Sequence, residues 1–453
     1  MKRTAVINVV GLTKGLISDH TPRIKTFVDQ GNLSAFKPPF PAVTCTAQSD
    51  FVTGKTASEH GIVANGWYNR DYSEVHFWKQ SNHLVDAPKI WDELKAKDPD
   101  FTCAKMFWWF NMYSTVDYSV TPRPMYPADG RKFFDVYTHP MDMREEIKRE
   151  LGEFPFHTFW GPKADIESSQ WIAASARWVE EKQQPTLNLV YLPHLDYNLQ
   201  RLGPNDPAIT DDLKAIDQVV GELIEFFESK SVQVVLLSEY GITQVDTPVH
   251  INREFRKQGW ITIKDELGLE QLDCGASEVF AVADHQIAHV YLKDKTRIEA
   301  VKQFLESIDG IDQVLAASGK KDFGIDHERS GDLIAIANPS AWFTYYYWLD
   351  DNVAPDFARC VDIHRKPGYD PVELFIDPEI KVPLIKIIGF LIKKKLGFRG
   401  LLDVIPLDAQ LVKGSHGRTP EETDDWPVFV SINEVSVNTS TDVYEALKQL
   451  ITE

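Results

Sequence analysis

Four short stretches of the sequence place hydroxyl, carboxylate or imidazole groups beside apolar runs or turn-forming residues. Carboxylates and imidazoles close to a hydroxyl can bind a divalent metal, which lowers the pKa of the hydroxyl and neutralises a phosphate or sulfate. The stretches are PAVTCTAQSDFVTG with Thr44, YLPHLDYNLQ with His194, Asp196 and Gln200, LLSEYG with Glu239 and Tyr240, and KGSHGR with His416. Their residue types indicate metal-assisted attack by a hydroxyl group.

Each stretch also has a structural interpretation, and no stretch decides the matter alone. Asp196 could cap a helix, Glu239 could pair with an arginine, and His416 could stabilise the turn formed by its flanking glycines. Thr44 has a competitor in the adjacent thiol of Cys45. Metal-activated hydroxyls are the better match to phosphoryl chemistry, so Thr44 is the favoured nucleophile.

Short apolar runs alternate with longer helical patterns along most of the chain, and these elements must position the four stretches. Runs such as TAVINVVGL and VQVVLLSEYG are predicted strands, and residues 21–29, 168–184 and 211–230 are predicted helices. The alternation predicts an α/β fold with a mostly parallel central sheet flanked by helices. Ligands of such sheets bind beyond the carboxyl ends of the strands, where three of the stretches follow strand-like runs.

The pattern changes between residues 245 and 330, where charged helical segments lie beside strand-like runs. We predict an inserted α+β subdomain at 245–330 and an alkaline phosphatase-like main domain at 1–244 and 331–453. Within the insert, ADHQIAH carries His285 and His289. A structural role is favoured for both, because AHVYL continues as a core-type strand.

Charge and cysteine content narrow the class of protein. The 453 residues include 48 Lys and Arg and 67 Asp and Glu, a net charge of −19, which argues against a nucleic-acid polymer as partner. Four separated cysteines without a CxxC pair predict neither a zinc knuckle nor disulfides, and they favour a cytoplasmic location. Segment 379–400 alternates apolar and basic residues; membrane contact is one interpretation, and a docked helix with a solvated lysine face is the favoured one.

In order, the motifs PxxTxxxxxxxVTGxxxxxHGIxxN, YLxxxDxxxxxxGP, LLSxxG and GSHG resemble the nucleotide pyrophosphatase/phosphodiesterase branch of the alkaline phosphatase superfamily. The resemblance extends from Thr4 to about Arg418. It implies an alkaline phosphatase-like fold and hydrolysis of a phosphate ester or diphosphate in a small, nucleotide-like substrate. It also implies that Thr44 is the nucleophile and becomes phosphorylated beside two zinc ions.

Three positions depart from the metal-ligand pattern of this family. Val10 stands where the family has an aspartate, and Gln200 and Tyr240 each stand where it has a histidine, whereas Asp196 and His416 match. Two zinc ions need about six ligands between them, so the replacements favour one divalent ion. Zinc is implied by the resemblance, and the harder oxygen ligands also allow Mg²⁺ or Mn²⁺.

The remaining candidates complete or replace this ligand set. Glu239 takes the place of a family aspartate and is a third predicted ligand, with His194, Asp362 and His364 as substitutes. The candidates for contact with a substrate are Asn65, Gln200, Tyr240 and Arg365. Two hypotheses follow: a metal-dependent hydrolase with a threonine nucleophile, or a catalytically altered or inactive member that binds a ligand or acts as a scaffold.

Overall fold

Apolar runs of the sequence form the strands of two main sheets, and amphipathic segments between them form helices. The computed structural model describes residues 1–129, 131–398 and 400–453. Its strands are β1 (Thr4–Val9), β2 (Asn32–Ala35), β3 (Gly66–Asn69), β4 (Glu74–Phe77), β5 (Cys103–Met106), β6 (Tyr118–Pro122), β7 (Val136–His139), β8 (Leu187–Leu192), β9 (Gln233–Leu237), β10 (Thr243–Gln244), β11 (Thr247–Val249), β12 (Ile263–Glu266), β13 (Leu269–Leu272), β14 (Val279–Asp284), β15 (Ile287–Leu292), β16 (Ile311–Leu315), β17 (Leu333–Ala337), β18 (Ala341–Phe343), β19 (Gly414–Ser415) and β20 (Val428–Ser431). Its helices are α1 (Pro22–Gln30), α2 (Thr44–Thr53), α3 (Ala57–His60), α4 (Ile90–Lys97), α5 (Met143–Leu151), α6 (Ile166–Gln183), α7 (His194–Leu202), α8 (Ile209–Ser229), α9 (Ile251–Lys257), α10 (Ile298–Glu306), α11 (Ala317–Asp322), α12 (Pro383–Lys395) and α13 (Asp442–Thr452).

The larger sheet has eight strands in the order β2-β20-β9-β1-β8-β5-β6-β7. The five central strands from β9 to β6 pair in parallel. At the edges, β7 and β20 pair antiparallel with the parallel block, and β2 pairs antiparallel with β20. Every residue of β1 and β8 is buried, as expected for strands that are covered on both faces. The predicted fold class is confirmed.

The three helices predicted from periodicity are present. Residues 21–29 correspond to α1, 168–184 to α6 and 211–230 to α8, with ends that differ by one or two residues. In α8, Leu213, Ile216 and Val220 are buried and recur every three or four residues, which places them on one face. α8 packs through this region against α1, α6 and α7.

A second, antiparallel sheet has the order β14-β15-β17-β16 and its own apolar core. The insert predicted at 245–330 contains β14, β15 and β16, but β17 lies beyond residue 330 and pairs with both β15 and β16. The core beneath this sheet continues to Val412. The predicted boundary at 330 therefore divides one packed unit, because it separates β17 from β15 and β16, the two strands with which β17 pairs.

Within segment 379–400, residues Pro383–Lys395 form α12, which contacts the second core only along one side, through residues such as Ile387. None of the residues of α12 is buried. Within the described parts of the chain, no helix is both long and apolar enough to cross a membrane.

Candidate active site

The ends of three parallel strands bring predicted site residues to one edge of the larger sheet. β1 lies between β8 and β9. The chain passes from β8 into α7, which carries Asp196, and from β9 directly into Glu239 and Tyr240. Carboxyl ends of parallel strands lie at the same edge of a sheet, so residues about 40 positions apart in sequence become neighbours here.

Thr44 is the first residue of α2, and only 3% of it is exposed. Its Oγ1 lies 3.0 Å from the phenolic oxygen of Tyr240. The adjacent Cys45 donates its backbone N–H to Asn65 Oδ1 at 3.0 Å. Burial, with Asp284 and Glu239 nearby, raises the pKa of the Cys45 thiol well above its usual range. A thiol that resists ionisation is a poor nucleophile, so Thr44 is the better candidate of the two.

Gln200 and Tyr240, which replace two histidines of the related pattern, both contact Asp196. Gln200 Nε2 donates to Asp196 Oδ2 at 2.7 Å, and the Tyr240 hydroxyl lies 3.4 Å from Asp196 Oδ1. Tyr369 in turn donates its hydroxyl to Gln200 Oε1 at 3.1 Å. Burial raises the pKa of Asp196 to about 7, although the contacts from Gln200 and Tyr240 act in the opposite direction. The carboxyl group is therefore held by neutral donors.

Glu239 is similarly held by two side-chain amides. Asn8 Nδ2 and Gln48 Nε2 each donate to Glu239 Oε1 at 2.7 Å. Gln48 is itself fixed, because its Oε1 accepts the backbone N–H of Trp109 at 2.8 Å. Burial raises the pKa of Glu239 to about 8, against the lowering effect of these hydrogen bonds and of Thr44. Glu239 thus favours the protonated form at neutral pH, whereas the Asp196 carboxyl titrates close to pH 7 and is partly ionised there.

His416 lies in a stack of four rings that extends from Tyr240 to Tyr369. Its ring is 3.8 Å from that of Tyr240 and 3.6 Å from that of His285, which lies 3.7 Å from Tyr369. His416 Nδ1 donates to the carbonyl of Ala42 at 2.7 Å, which leaves Nε2 without a proton. That Nε2 lies 3.9 Å from Asp196 Oδ1. Burial lowers the pKa of both histidines well below the usual range, so both rings are neutral at pH 7.

Asn65 connects this stack to the start of α2. Its backbone N–H donates to Asp284 Oδ2 at 2.8 Å, and its side-chain amide donates to Asp284 Oδ1 at 3.2 Å. Asp284 also accepts from His285 Nδ1 at 2.7 Å. Since Asn65 accepts the N–H of Cys45 as well, its observed contacts are those of a positioning residue. Its predicted contact with a substrate stays a prediction.

Most of the sequence matches the model of a known protein family. The family of type I phosphodiesterases and nucleotide pyrophosphatases matches residues 4–370. This chain belongs to that family. The phosphodiesterase and pyrophosphatase activities that name the family are hydrolyses of phosphoric ester and anhydride bonds.

Curated relatives of the chain are similar to it over only part of their length. An uncharacterised pyrophosphatase/phosphodiesterase of Schizosaccharomyces pombe is 26% identical over 214 residues, which are 45% of this chain and 37% of the relative. Ectonucleotide pyrophosphatase/phosphodiesterase family member 7 of Rattus norvegicus is 22% identical over 281 residues, 60% of this chain and 57% of the relative. The chain thus spans less than two thirds of these relatives.

Solved structures share the type I phosphodiesterase fold over the whole chain. Murine ectonucleotide pyrophosphatase/phosphodiesterase 5 superposes with a TM-score of 0.60 at 14% identity, covering 100% of this chain and 95% of the other. Phosphonoacetate hydrolase from Sinorhizobium meliloti 1021 superposes with a TM-score of 0.63 at 12% identity, covering 100% and 96%. At these identities the similarity establishes the fold alone.

The two-zinc centre implied by the phosphodiesterase family does not fit the residues of this chain. Val10, Gln200 and Tyr240 supply a methyl-bearing side chain, an amide and a protonated phenol where three ligands are expected. Among the described residues, no group of three or more His, Cys, Asp or Glu side chains is arranged to hold a metal ion. Asp196 and His416 are the matching ligands that remain close to each other.

Four of the predicted site residues make their observed contacts away from Thr44, Asp196 and His416. His194 Nε2 lies 3.1 Å from Asp212 Oδ1 of α8 without the geometry of a hydrogen bond, so this ring lies at the contact between α7 and α8. Asp362, His364 and Arg365 lie in a surface segment, where Arg365 pairs with Asp356 at 3.1 Å. The described residues show no hydrogen bond or ion pair between these four and Thr44, Asp196 or His416. The roles of His194, Asp362 and His364 as substitute ligands, and of Arg365 as a substrate contact, stay predictions.

The fold also brings to the candidate active site several residues to which the sequence analysis gave no role in chemistry. Asp284 ends β14 and His285 occupies the tight turn to β15 with a φ of 61°, so ADHQIAH spans a β-hairpin. The turn projects His285 onto His416. The signal in the sequence was the Asp-His pair itself, whereas the amides of Gln48 and Asn8 offered none.

Proposed function

We propose that this chain hydrolyses phosphoric ester or anhydride bonds in small molecules, with Thr44 as the nucleophile. The observation that carries the proposal is the position of the Thr44 hydroxyl at the N-terminus of α2, in contact with Tyr240 and close to Asp196. The N-terminus of a helix favours anionic phosphate groups. A murine relative of similar fold, described as inactive through replacement of a threonine by alanine, is in complex with AMP, which supports a nucleotide-like substrate.

The proposed reaction uses the groups that surround Thr44. Thr44 Oγ1 attacks phosphorus in line, and its proton passes through the Tyr240 hydroxyl to the ionised form of Asp196 as the bond to the leaving group breaks. The step leaves phosphorylated Thr44, protonated Asp196 and a free leaving group, which takes up a proton from solvent. Water then attacks the phosphorus on Thr44, and the proton held by Asp196 returns through Tyr240 to Thr44 Oγ1. Phosphate is released from a monoester, and a phosphate monoester from a diester.

The proposed reaction does not depend on a bound metal, and the metal content of the protein is left to measurement. The residues present do not fit a two-zinc centre; one divalent cation, whether zinc, Mg²⁺ or Mn²⁺, would have Asp196 and His416 as its protein ligands, with Glu239 as the third predicted one. Elemental analysis of the purified protein tests this point. A cytoplasmic location, which the cysteine pattern predicts, likewise stays a prediction.

A second candidate function is the binding of a small phosphate-containing ligand without turnover. It is favoured by the donors that hold the two carboxyl groups: Gln200 and Tyr240 on Asp196, and Asn8 and Gln48 on Glu239. Positive charge stabilises the transition state of phosphoryl transfer, and these contacts supply neutral dipoles in its place. A site of this kind can recognise a ligand but gives little stabilisation to the reaction.

Hydrolysis of p-nitrophenyl phosphate and bis-p-nitrophenyl phosphate distinguishes the two functions. For a hydrolase, Thr44→Ala abolishes turnover, whereas Cys45→Ala, the matched control on the next residue, retains it. Wild-type protein without turnover, but with a melting temperature that AMP raises, would establish ligand binding instead. Full turnover in Thr44→Ala would show that the nucleophile is wrong.

A further inference from the structure

α12 exposes a row of large apolar side chains to solvent. Its six most exposed apolar residues are each between 46% and 68% exposed: Leu384, Ile385, Ile388, Leu391, Ile392 and, directly after the helix, Leu396. Ordinary surfaces expose such residues singly, and a contiguous apolar patch marks an interaction site. The patch on α12 is therefore the strongest unexplained surface of the molecule.

The helix attaches to the protein through its opposite side. Ile387 packs against the second core, and Lys386 Nζ donates to the carbonyl of Asp403 at 2.6 Å. Leu384, Ile388 and Leu391 follow a spacing of four and three residues, which places them on one face of a helix. A Cβ added at Gly389 would meet no atom within 4 Å. α12 is thus anchored along one side and open along the other.

The charge of this segment contrasts with that of the chain. Residues 381–402 include six Lys or Arg and no Asp or Glu, in a protein with a net charge of −19. Lys393, Lys394 and Lys395 form the last turn of α12 and are all exposed. Apart from these cations, the segment contains no side chain that can form a hydrogen bond. A typical interface between folded proteins contains several direct hydrogen bonds, which in this segment only the cations could donate, and a second copy would bring like charges together.

We propose that α12 binds the surface of an anionic lipid bilayer, lying in the plane of the interface. Its apolar face enters the boundary between headgroups and acyl chains, and its lysines contact anionic headgroups. The 13 residues of α12 give a length of about 20 Å, shorter than the roughly 30 Å hydrocarbon core. An interfacial orientation therefore suits the helix.

Co-sedimentation of the full chain with lipid vesicles tests the proposal. We expect binding to vesicles of phosphatidylcholine mixed with phosphatidylglycerol, much weaker binding to phosphatidylcholine alone, and weakening by salt. Lys393→Glu/Lys394→Glu/Lys395→Glu should reduce affinity for the anionic vesicles by at least on the order of a hundredfold. Its matched control reverses three exposed lysines elsewhere: Lys163→Glu/Lys230→Glu/Lys257→Glu should bind as the wild type does.

The apolar face is tested separately. Ile388→Asp/Leu391→Asp should abolish vesicle binding without a loss of thermal stability, because neither residue is buried; Leu267→Asp, at a fully exposed leucine of a hairpin, is the control. Hydrogen exchange of the unmodified protein should show protection of α12 only with anionic vesicles. Absence of vesicle binding by the wild type, binding that survives both α12 variants, or an α12-dependent dimer without vesicle binding would each overturn the proposal.

Discussion

The phenolic oxygen of Tyr240 lies 3.0 Å from the hydroxyl oxygen of Thr44. Burial, followed by the nearby charges of Asp196 and Glu239, raises the pKa of Tyr240 well above its usual range. The phenol is therefore protonated at neutral pH and acts as a hydrogen-bonding partner of Thr44. In the related pattern a histidine occupies this position, so one substitution exchanges a metal ligand for a neutral hydroxyl group.

Tyr240→Phe should weaken both stability and turnover. The ring stacked on His416 is kept, while Thr44 and Asp196 lose their shared partner. Leaving buried polar groups unpaired costs about 1–3 kcal/mol in the free energy of unfolding, and loss of a proton relay should lower kcat/KM by roughly a hundredfold. Urea denaturation and p-nitrophenyl phosphate assays measure the two effects.

Tyr345→Phe is the control for this prediction. The Tyr345 hydroxyl is buried and has no hydrogen-bond partner within the described residues, so its removal should cost little stability and no activity. If Tyr240→Phe matched wild type in both assays, the contact with Thr44 would have no energetic role.

Restoring the three altered positions should create a metal site. Val10→Asp/Gln200→His/Tyr240→His adds one carboxylate and two imidazoles near Asp196 and His416, which approaches the six ligands that two zinc ions need. The wild-type melting temperature should respond little to Zn²⁺. The triple variant should gain about 2.7 kcal/mol in unfolding free energy at a zinc concentration one hundred times its Kd.

Val10→Leu/Gln200→Leu/Tyr240→Phe is the matched control, because it changes the same positions without adding ligands. It should show no zinc-dependent stabilisation. An equal response of both triple variants to zinc would place the metal elsewhere and contradict the assignment of these positions.

Lys105 should make stability depend on pH in the alkaline range. Its amine is buried, donates to the carbonyl of Trp109 at 3.1 Å, and has a pKa lowered by burial from 10.5 to about 7. Between these values the unfolded chain binds more protons than the native state, so this residue makes the free energy of unfolding rise with pH. The contribution is at most about 1.4 kcal/mol per pH unit.

Lys105→Met removes this contribution while keeping the length of the side chain. Relative to the wild type, the variant should be most stabilised below pH 7 and should lose that advantage as the pH rises towards 10. Guanidinium denaturation at a series of pH values measures the difference, with Lys163→Met, at an exposed position, as control. A constant difference between Lys105→Met and wild type across the series would show that Lys105 titrates normally.

Local pattern was sufficient for the main elements and for one part of the site. Buried parallel strands are predicted by the continuous apolar runs of β1 and β8, and a packed helix by the periodicity of α8. Both kinds of pattern are formed by residues close together in sequence. Asp196, Glu239 and Tyr240 follow apolar, strand-like runs, whereas Thr44 and His416 were identified by residue type and by the resemblance to the family.

The sequence by itself determined the parallel sheet, the edge at which its site lies, and the three replaced ligand positions. Only the tertiary structure decided which groups meet there. It directs His194 to Asp212, places His285 against His416, sets two amides on Glu239, and leaves the apolar face of α12 uncovered. Those outcomes depend on contacts between residues that are remote in sequence. Packing decides where their side chains point, and local periodicity does not.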